Sequence, residues 1–277
     1  MSNHARQPSG WQVEQNASEA YEQYLVPPIF ESWADRLIET VEIHEGDRVL
    51  DVACGTGIVA RCAASRVGPS GSVVGLDTNE GMLAVAAETA VDIQPSIEWR
   101  RANATDLPFD DGQFDIVCCQ QALQFFDDPV TAIGEMHRVL TPGGRVGLSV
   151  WRSLDYHPAY VVLADALEQH VGADAGEMMR SPFPEWDANT LRTFFQDGGF
   201  DDVSVTIEIG SMRYPSVEEF VRREAASSPF AESIAAVEQQ VQDELVREVG
   251  DALYAYTDDN GIVSPMETYV VTADRQQ

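Results

Sequence analysis

The stretch from Gly46 to Gly57, GDRVLDVACGTG, constrains the fold of this chain more than any other. A short apolar strand ends at the acidic residue Asp51, a glycine-rich turn follows, and an apolar run from Ile58 opens a helix. Glycines in such a turn let the backbone approach a ligand closely, and the helix N-terminus behind them presents unpaired N–H groups. The pattern predicts a small-molecule site of the kind that binds a nucleoside-bearing cofactor.

Two cofactor classes compete for this turn. The spacing Gly55-x-Gly57-x-x-Ala60, followed after about twenty residues by the acidic Asp77, fits a dinucleotide-binding fingerprint. Asp51 favours the other class, because its negative charge lies where a pyrophosphate would bind. S-adenosylmethionine has no phosphate, and a carboxylate stabilises its ammonium and sulfonium charges. We therefore favour S-adenosylmethionine.

The charge balance is strongly acidic. The 277-residue chain has 46 acidic residues and 17 arginines, contains no lysine, and carries a formal charge of −29. Such self-repulsion destabilises a compact state at low ionic strength, and salt screens it. The composition is typical of proteins from salt-in halophiles, although acidic drift in a GC-rich genome gives a similar balance. It also disfavours nucleic-acid partners, since phosphate binding needs basic patches. This argument is weaker in a halophile, where the whole proteome is acidic.

The remaining composition predicts a cytoplasmic protein. No run approaches the ~20 apolar residues of a membrane span, and the polar N-terminus lacks a signal-peptide core. Residues 1–14 are predicted to be disordered. The cysteines are too few and too badly placed for a disulfide framework or a zinc site. We expect all four to be reduced core residues: Cys54, Cys62, Cys118 and Cys119.

The element pattern predicts an α/β fold. Apolar spacing between Ala17 and Val41, broken by Pro27-Pro28, predicts two helices ahead of the first strand. Alternation of strands and helices then predicts a parallel sheet with helices on both faces. The predicted strands are Arg48 to Val52, Ser72 to Asp77, Ile97 to Arg101, Phe114 to Cys118 and Arg145 to Trp151. Thr78 is expected to cap the helix after the second strand, and Asp128 with Pro129 to open the helix before the fifth.

The second half of the chain is less regular. Helices are predicted from Ala159 and from Asp187, and strands at Val203 to Ile209 and Tyr269 to Thr272. Between those two strands, Ser216 and Glu219 form a capping box. An apolar stripe with helical spacing follows, formed by Phe230, Ile234, Val237, Val241, Leu245 and Val249.

Taken together, five landmarks give the sequence a clear likeness. In chain order they are Val49 to Gly57, Gly75 to Asp77, Leu107 to Phe109, Phe114 to Asp115, and Arg138 to Gly144. Over residues 47–151 the chain resembles class I S-adenosylmethionine-dependent methyltransferases, especially the branch of quinone-biosynthesis C-methyltransferases and small-molecule O- or N-methyltransferases.

This likeness implies a doubly wound, mostly parallel seven-stranded sheet, the Rossmann-like methyltransferase fold, whose last strand is antiparallel. We expect residues 1–45 to form an N-terminal tail and helical cap. Residues 46–210 and 262–277 are expected to form the cofactor-binding core, and 211–261 a helical insert that acts as a substrate lid.

The resemblance also implies a set of cofactor contacts. Asp77 would accept hydrogen bonds from both ribose hydroxyls, which suits the two acceptor oxygens of a carboxylate. The remaining predicted contacts are Asp51, Ala53, Gly55, Gly57 and Gln120 around the methionine end, Thr78 and Met82 near the adenine, and Asn103 and Ala104 at the adenine edge.

Two of these positions depart from the family pattern. Ala53 replaces the first glycine of the turn, which is tolerable if its φ is negative. Asn103 stands where an aspartate is common, and its amide can still accept a hydrogen bond from the adenine amino group.

Methyl transfer from a sulfonium is an in-line displacement that needs an aligned nucleophile but no metal. The protein contributes orientation, desolvation and sometimes a base. His157, close after the fifth strand, is the candidate base. Gln121, Gln124, Phe125 and Trp151 are expected to line the acceptor pocket, and its aromatic character suggests a small or lipophilic acceptor.

Two other functions stay open at this level. The motifs report cofactor binding rather than turnover, so a non-catalytic protein that binds S-adenosylmethionine or S-adenosylhomocysteine would share them. A nicotinamide oxidoreductase is disfavoured by Asp51 and by the stretch from Leu140 to Gly144.

Overall fold

The computed structural model describes residues 15–228, 231 and 237–276. Within these residues one open sheet has the strand order β3-β2-β1-β4-β5-β8-β6, with the two-residue β7 paired to β8. The strands are β1 Arg48–Val52, β2 Ser72–Asp77, β3 Glu98–Arg101, β4 Phe114–Gln120, β5 Leu140–Trp151, β6 Val203–Tyr214, β7 Thr257–Asp258 and β8 Gly261–Asp274. The first five are parallel to one another, and β8 is antiparallel to both β5 and β6. The predicted fold class is confirmed.

Helices cover both faces of the sheet. They are α1 Gln15–Tyr24, α2 Glu31–Val41, α3 Ile58–Val67, α4 Glu80–Thr89, α5 Pro129–Val139, α6 Pro158–His170, α7 Ala173–Arg180, α8 Ala188–Asp197, α9 Val217–Ala226 and α10 Gln239–Ala252. The prolines between α1 and α2 lie in a π-helical turn, Val26–Phe30. In the described part of the chain, none of the helices combines the length and apolar character needed to cross a bilayer.

Alternate side chains of β1 enter two different cores. Val49 packs in the cluster that includes α2 and α3, whereas Leu50 and Val52 pack with α5 and α8. The strand is therefore held from both faces. Because the chain leaves β1 toward β2 on one side and returns to β4 on the other, a crevice opens at the carboxyl ends of β1 and β4. Asp51 is the penultimate residue of β1 and lies beside this crevice.

A third apolar cluster lies away from the centre of the sheet. It joins α1, α6, α7, α9 and α10 to the ends of β5, β6 and β8. Its largest rings include Trp33, Trp151, Tyr160, Phe183 and Phe220. The cluster therefore places aromatic side chains from distant parts of the sequence next to the crevice.

Several element boundaries differ from the predictions. β6 continues to Tyr214, and β8 begins at Gly261, so the segment between these strands is 215–260. Gly210 stands where the apolar alternation of β6 is interrupted. A Cβ at this position would lie 2.6 Å from the ring of Trp33, so only glycine admits this close packing. Residues 1–14 and the stripe positions Phe230 and Ile234 lie outside the described residues.

The predicted helix caps hold with one correction. Asp128, Asp187 and Ser216 accept backbone N–H bonds at the starts of α5, α8 and α9. At α4 the cap is Asn79 rather than Thr78, and its side chain accepts bonds from the N–H groups of Gly81 and Met82.

Candidate active site

A cavity of about 610 Å³ opens at the carboxyl ends of β1, β2 and β4. One end is lined by the loops that follow these strands, and the other by α1, the π-helical turn, α6, α7 and α9. This cavity brings together nine of the ten predicted cofactor residues: Asp51, Ala53, Gly55, Asp77, Thr78, Met82, Asn103, Ala104 and Gln120. Gly57 is not in its wall.

Asp51 is held at the start of α3. Its Oδ2 accepts a hydrogen bond of 3.0 Å from the N–H of Ala60, in the first turn of that helix. Its Oδ1 is buried without a hydrogen-bond partner among the described residues. Burial raises the pKa of this carboxyl to about 8. A positively charged ligand group would therefore find an acceptor already fixed in the wall.

The turn after β1 uses left-handed backbone at three positions. Gly55 has φ 54°, and a Cβ there would meet no atom within 4 Å, so its backbone faces open space in the cavity. Gly57 has φ 84°, and a Cβ would lie 2.5 Å from Trp99, so this glycine admits close packing behind the turn. The expectation of a negative φ at Ala53 is wrong, because its φ is 55°. A non-glycine residue in this region costs about 1–2 kcal/mol.

Asp77 joins the first two loops. Its Oδ2 accepts from the N–H of Gly55 at 2.9 Å, and its Oδ1 accepts from the N–H of Asn79 at 2.8 Å. Burial raises the pKa of Asp77, while these hydrogen bonds oppose the rise. Each carboxylate oxygen has two lone pairs, so each keeps acceptor capacity for a second donor such as a hydroxyl of a vicinal diol.

Two amide side chains extend the polar wall. The Oδ1 of Asn103 accepts from the N–H of Thr105 at 3.1 Å. The Nε2 of Gln120 donates to the carbonyl of Phe30 at 3.2 Å, and its Oε1 is buried without a partner in the described structure. Gln120 and Asp51 therefore both line the cavity, and each has one buried acceptor oxygen without a partner among the described residues.

The charge of the wall distinguishes between the two cofactor classes. Among the described residues, five carboxylates line the cavity and no arginine or histidine does: Asp51, Asp77, Asp127, Asp128 and Glu224. A pyrophosphate would find no positively charged side chain in this described part of the wall. The ammonium and sulfonium of S-adenosylmethionine fit the wall and its unpaired acceptors.

The other end of the cavity is largely aromatic and apolar. The four expected lining residues, Gln121, Gln124, Phe125 and Trp151, all lie in its wall. They are joined by side chains that were not predicted to line the acceptor pocket: Tyr21, Phe30, Tyr160, Met179, Phe183 and Met266.

His157 does not reach the cavity. The residue is fully buried, with its ring 4.5 Å from that of Phe183 and 5.6 Å from that of Trp151, measured between centroids. Neither ring nitrogen has a hydrogen-bond partner among the described residues, and burial lowers the pKa to about 3. The prediction that His157 is the catalytic base is therefore corrected: its imidazole packs behind the aromatic wall of the cavity and does not line it.

Sequence reasoning missed Glu224, which lines the cavity from α9. Its Oε1 accepts hydrogen bonds from the hydroxyls of Tyr160 at 2.8 Å and Tyr214 at 2.9 Å. A signal was present, because Glu224 lies four residues after Phe220 and therefore on the buried stripe of its helix.

Comparisons with known proteins show which family the chain resembles. A family profile described as "Methyltransferase domain" matches residues 50–148. A demethylmenaquinone methyltransferase of Staphylococcus epidermidis is 30% identical over 217 residues, covering 73% of this chain and 89% of that protein. A 2-phytyl-1,4-naphtoquinone methyltransferase of Synechococcus elongatus is 34% identical over 139 residues, covering 50% of this chain and 58% of that protein.

A solved structure shows the same fold. It is a Haemonchus contortus phosphoethanolamine N-methyltransferase 2 in complex with S-adenosyl-L-methionine, 20% identical, with a TM-score of 0.59. The match covers 95% of this chain and 58% of that one.

An open sheet of this order, with an acid-lined cavity at the ends of β1 and β4, is the arrangement of class I S-adenosylmethionine-dependent methyltransferases. The chain belongs to this family, in its quinone-methyltransferase branch, and is an enzyme whose cofactor is S-adenosylmethionine.

Proposed function

We propose that this enzyme methylates a ring carbon of a hydroxylated, lipophilic aromatic acceptor of the naphthoquinol type. One observation carries the proposal: a single cavity joins an acid-lined end to an aromatic end. The relatives named as demethylmenaquinone and naphthoquinone methyltransferases support this acceptor class.

The cofactor residues divide into three groups by their chemistry. We assign the ribose to Asp77, whose oxygens retain acceptor capacity, and the ammonium to Asp51 and Gln120. The open backbone at Gly55 accepts the methionine chain, with Ala53 beside it. We assign the adenine to a wall formed by Thr78, Met82, Asn103 and Ala104. When bound, S-adenosylmethionine supplies an electrophilic methyl group.

The aromatic end positions the acceptor. Phe30 and Trp151 lie with ring centroids 6.3 Å apart, and Tyr21 stacks on Phe30 at 5.1 Å. Flat rings of this kind bury an aromatic acceptor and exclude water from the reacting atoms. The 215–260 segment supplies Glu224 to the same wall, which supports a role for the helical insert in enclosing the acceptor.

The test is a methylation assay with 1,4-dihydroxynaphthalene under anaerobic conditions and S-adenosylmethionine labelled in its methyl group. We expect the label in a product whose mass rises by one methyl group and whose NMR spectrum shows a carbon-bound methyl. Naphthalene, which lacks hydroxyls, serves as the matched control and should remain unlabelled. An oxygen-bound methyl, or turnover only with aliphatic amines, would refute the proposed acceptor.

A further inference from the structure

The aromatic end of the cavity contains one charged group that the cofactor does not explain. Glu224 is 2% exposed and lies among Tyr160, Met179 and Phe183. Among residues 15–228, 231 and 237–276, no arginine or histidine forms an ion pair with it. Its neighbour Arg223 pairs instead with Glu219 at 2.7 Å.

A purely structural role would not require a carboxylate here. Two tyrosine hydroxyls donate to the same oxygen, Oε1, and the amide oxygen of a glutamine could accept both bonds. Glutamine would also avoid burying a charge, which is costly without an ionic partner. The carboxylate therefore points to a function that requires a group able to gain a proton.

Glu224 also lies near the rest of the reacting region. The Tyr21 phenol, which lines the cavity, has its pKa raised by burial and by the nearby charges of Glu22, Asp77 and Glu224. Tyr21, Asp77 and Glu224 all line the same cavity, so Glu224 shares its wall with the carboxylate assigned to the ribose.

We propose that Glu224, oriented by Tyr160 and Tyr214, binds the hydroxyl of the aromatic acceptor and takes up its proton during methyl transfer. The inference deepens the proposed function and rests on it. The positioning residue Tyr214 is not in the cavity wall, whereas Tyr160 and Glu224 both are.

The proposed step balances as follows. The acceptor O–H bond breaks, its proton moves to the Glu224 carboxylate, and the electron pair left on oxygen increases the electron density of the ring. A ring carbon forms a bond to the methyl carbon while the methyl–sulfur bond breaks with its electron pair on sulfur. The ring carbon then loses its proton to water, which restores aromaticity, and Glu224 returns to the ring oxygen the proton that it took up. One methyl is gained and one proton is released overall.

The electrostatic surroundings suit this role. Burial raises the pKa of Glu224 to about 7, against the opposing effect of hydrogen bonds from Tyr160 and Tyr214. The titratable groups that face it are Tyr160 from α6, Tyr214 from β6 and Tyr21 from α1, whereas Arg223 on its own helix pairs with Glu219. A base whose pKa lies near the working pH is suited to proton transfer, and such a base contributes about 10²–10⁴-fold to a rate.

The decisive variant is Glu224→Gln, with Glu218→Gln as the matched control on the exposed side of the same helix. For the wild type and Glu218→Gln we expect kcat toward 1,4-dihydroxynaphthalene to rise with pH through about 7. For Glu224→Gln we expect kcat to fall by about 100-fold or more and the rise to disappear. Affinity for S-adenosylhomocysteine, measured by calorimetry, should change less than about twofold, because the cofactor end is intact. A Glu224→Gln enzyme that keeps the wild-type kcat and pH profile would overturn the assignment.

A second variant tests the same site if Glu224→Gln does not fold. Tyr214→Phe removes one hydrogen bond that favours the ionised carboxylate, so the rise of kcat should move to higher pH. An unchanged rise in that variant would contradict the assigned role of Glu224.

A binding measurement separates this inference from the proposed function. If the wild type methylates no hydroxynaphthalene, the proposed function fails. The role of Glu224 is then tested separately by measuring how 1-naphthol binds to the protein loaded with S-adenosylhomocysteine. We expect naphthol fluorescence to report binding that tightens as pH rises through about 7 and weakens by at least about fivefold in Glu224→Gln. Equal binding by Glu224→Gln and Glu218→Gln would overturn the site.

Discussion

Replacing Asp77 with asparagine should weaken the binding of S-adenosylhomocysteine by about 30- to 700-fold. In the structure the two carboxylate oxygens accept from Gly55 and Asn79, and each keeps a lone pair for a ribose hydroxyl. A hydrogen bond to a charged group contributes about 1–2 kcal/mol more than one between neutral groups. Two such bonds correspond to about 2–4 kcal/mol, with 1.4 kcal/mol for each tenfold change in affinity.

The same substitution should also destabilise the free protein. Asparagine has one acceptor oxygen, so its NH₂ group would face the N–H of either Gly55 or Asn79. A buried donor left without a partner costs about 1–3 kcal/mol. We therefore expect a fall of several degrees in the melting temperature, and binding should be measured well below it.

Calorimetry with S-adenosylhomocysteine measures the affinity, and circular dichroism establishes that the variant is folded at the chosen temperature. Glu80→Gln is the matched control, because this carboxylate follows the same strand yet is 82% exposed and pairs with Arg101. We expect its affinity to equal that of the wild type. A folded Asp77→Asn protein whose dissociation constant stays within threefold of the wild type would refute the reasoning.

Four further outcomes follow from the structure. Ala53→Gly removes the strain of a left-handed alanine, which should stabilise the fold by about 1–2 kcal/mol, but the greater freedom of the unfolded chain costs about 0.4–1 kcal/mol. Thermal melting should therefore show a net gain in the free energy of unfolding below about 2 kcal/mol, and a lower melting temperature would contradict it. Gly57→Ala would place a Cβ 2.5 Å from Trp99 at φ 84°, and denaturant titration should show a loss of at least about 1 kcal/mol. Since burial raises the pKa of Asp51 to about 8 in the free protein, binding an ammonium at pH 7 should release a proton; calorimetry in buffers of different ionisation enthalpy measures it, and Asp51→Asn should abolish the release. Raising NaCl from 0.1 to 2 M shortens the screening length by about threefold or more and so weakens the self-repulsion of a chain with formal charge −29. The melting temperature should therefore rise, and no rise would contradict the halophilic interpretation.

The raised pKa of Asp51 also sets the direction of a pH effect on stability. Its folded-state pKa of about 8 lies above the ordinary value of 3.8, so the folded protein binds the proton more tightly than the unfolded chain. The corresponding stabilisation is fully present below pH 3.8 and is lost as pH rises through about 8. A bound ammonium offsets the loss, and the cofactor should therefore stabilise the protein more strongly at pH 8 than at pH 6.

The cofactor end could be predicted because its residues are close in sequence to the strands that position them. Asp51 and Asp77 end neighbouring parallel strands, and the carboxyl ends of such strands meet at one edge of a sheet. What the pattern did not reveal was the conformation of the turn. Ala53 adopts a positive φ that favours glycine, and only the three-dimensional course of the loop shows that this alanine tolerates it.

The acceptor end could not be predicted in the same way, since its parts come from distant segments. Tyr21, Trp151, Phe183 and Glu224 meet only after the N-terminal helices and the 215–260 segment pack on the same edge of the sheet. The error at His157 has this origin: proximity to β5 in sequence suggested a place in the cavity, but the rings of Trp151 and Phe183 separate the imidazole from it.

The charge of the cavity wall connects the two ends of the site. Methyl transfer removes the sulfonium charge and keeps the ammonium, so the product carries one positive charge fewer than the cofactor. In a wall with five carboxylates and no described arginine or histidine, that change reduces the attraction between wall and ligand. In the proposed assignment Asp51 binds the ammonium in both states, so the lost interaction is confined to the region of the sulfur. An acid-lined wall therefore favours the charged cofactor over its neutral-sulfur product.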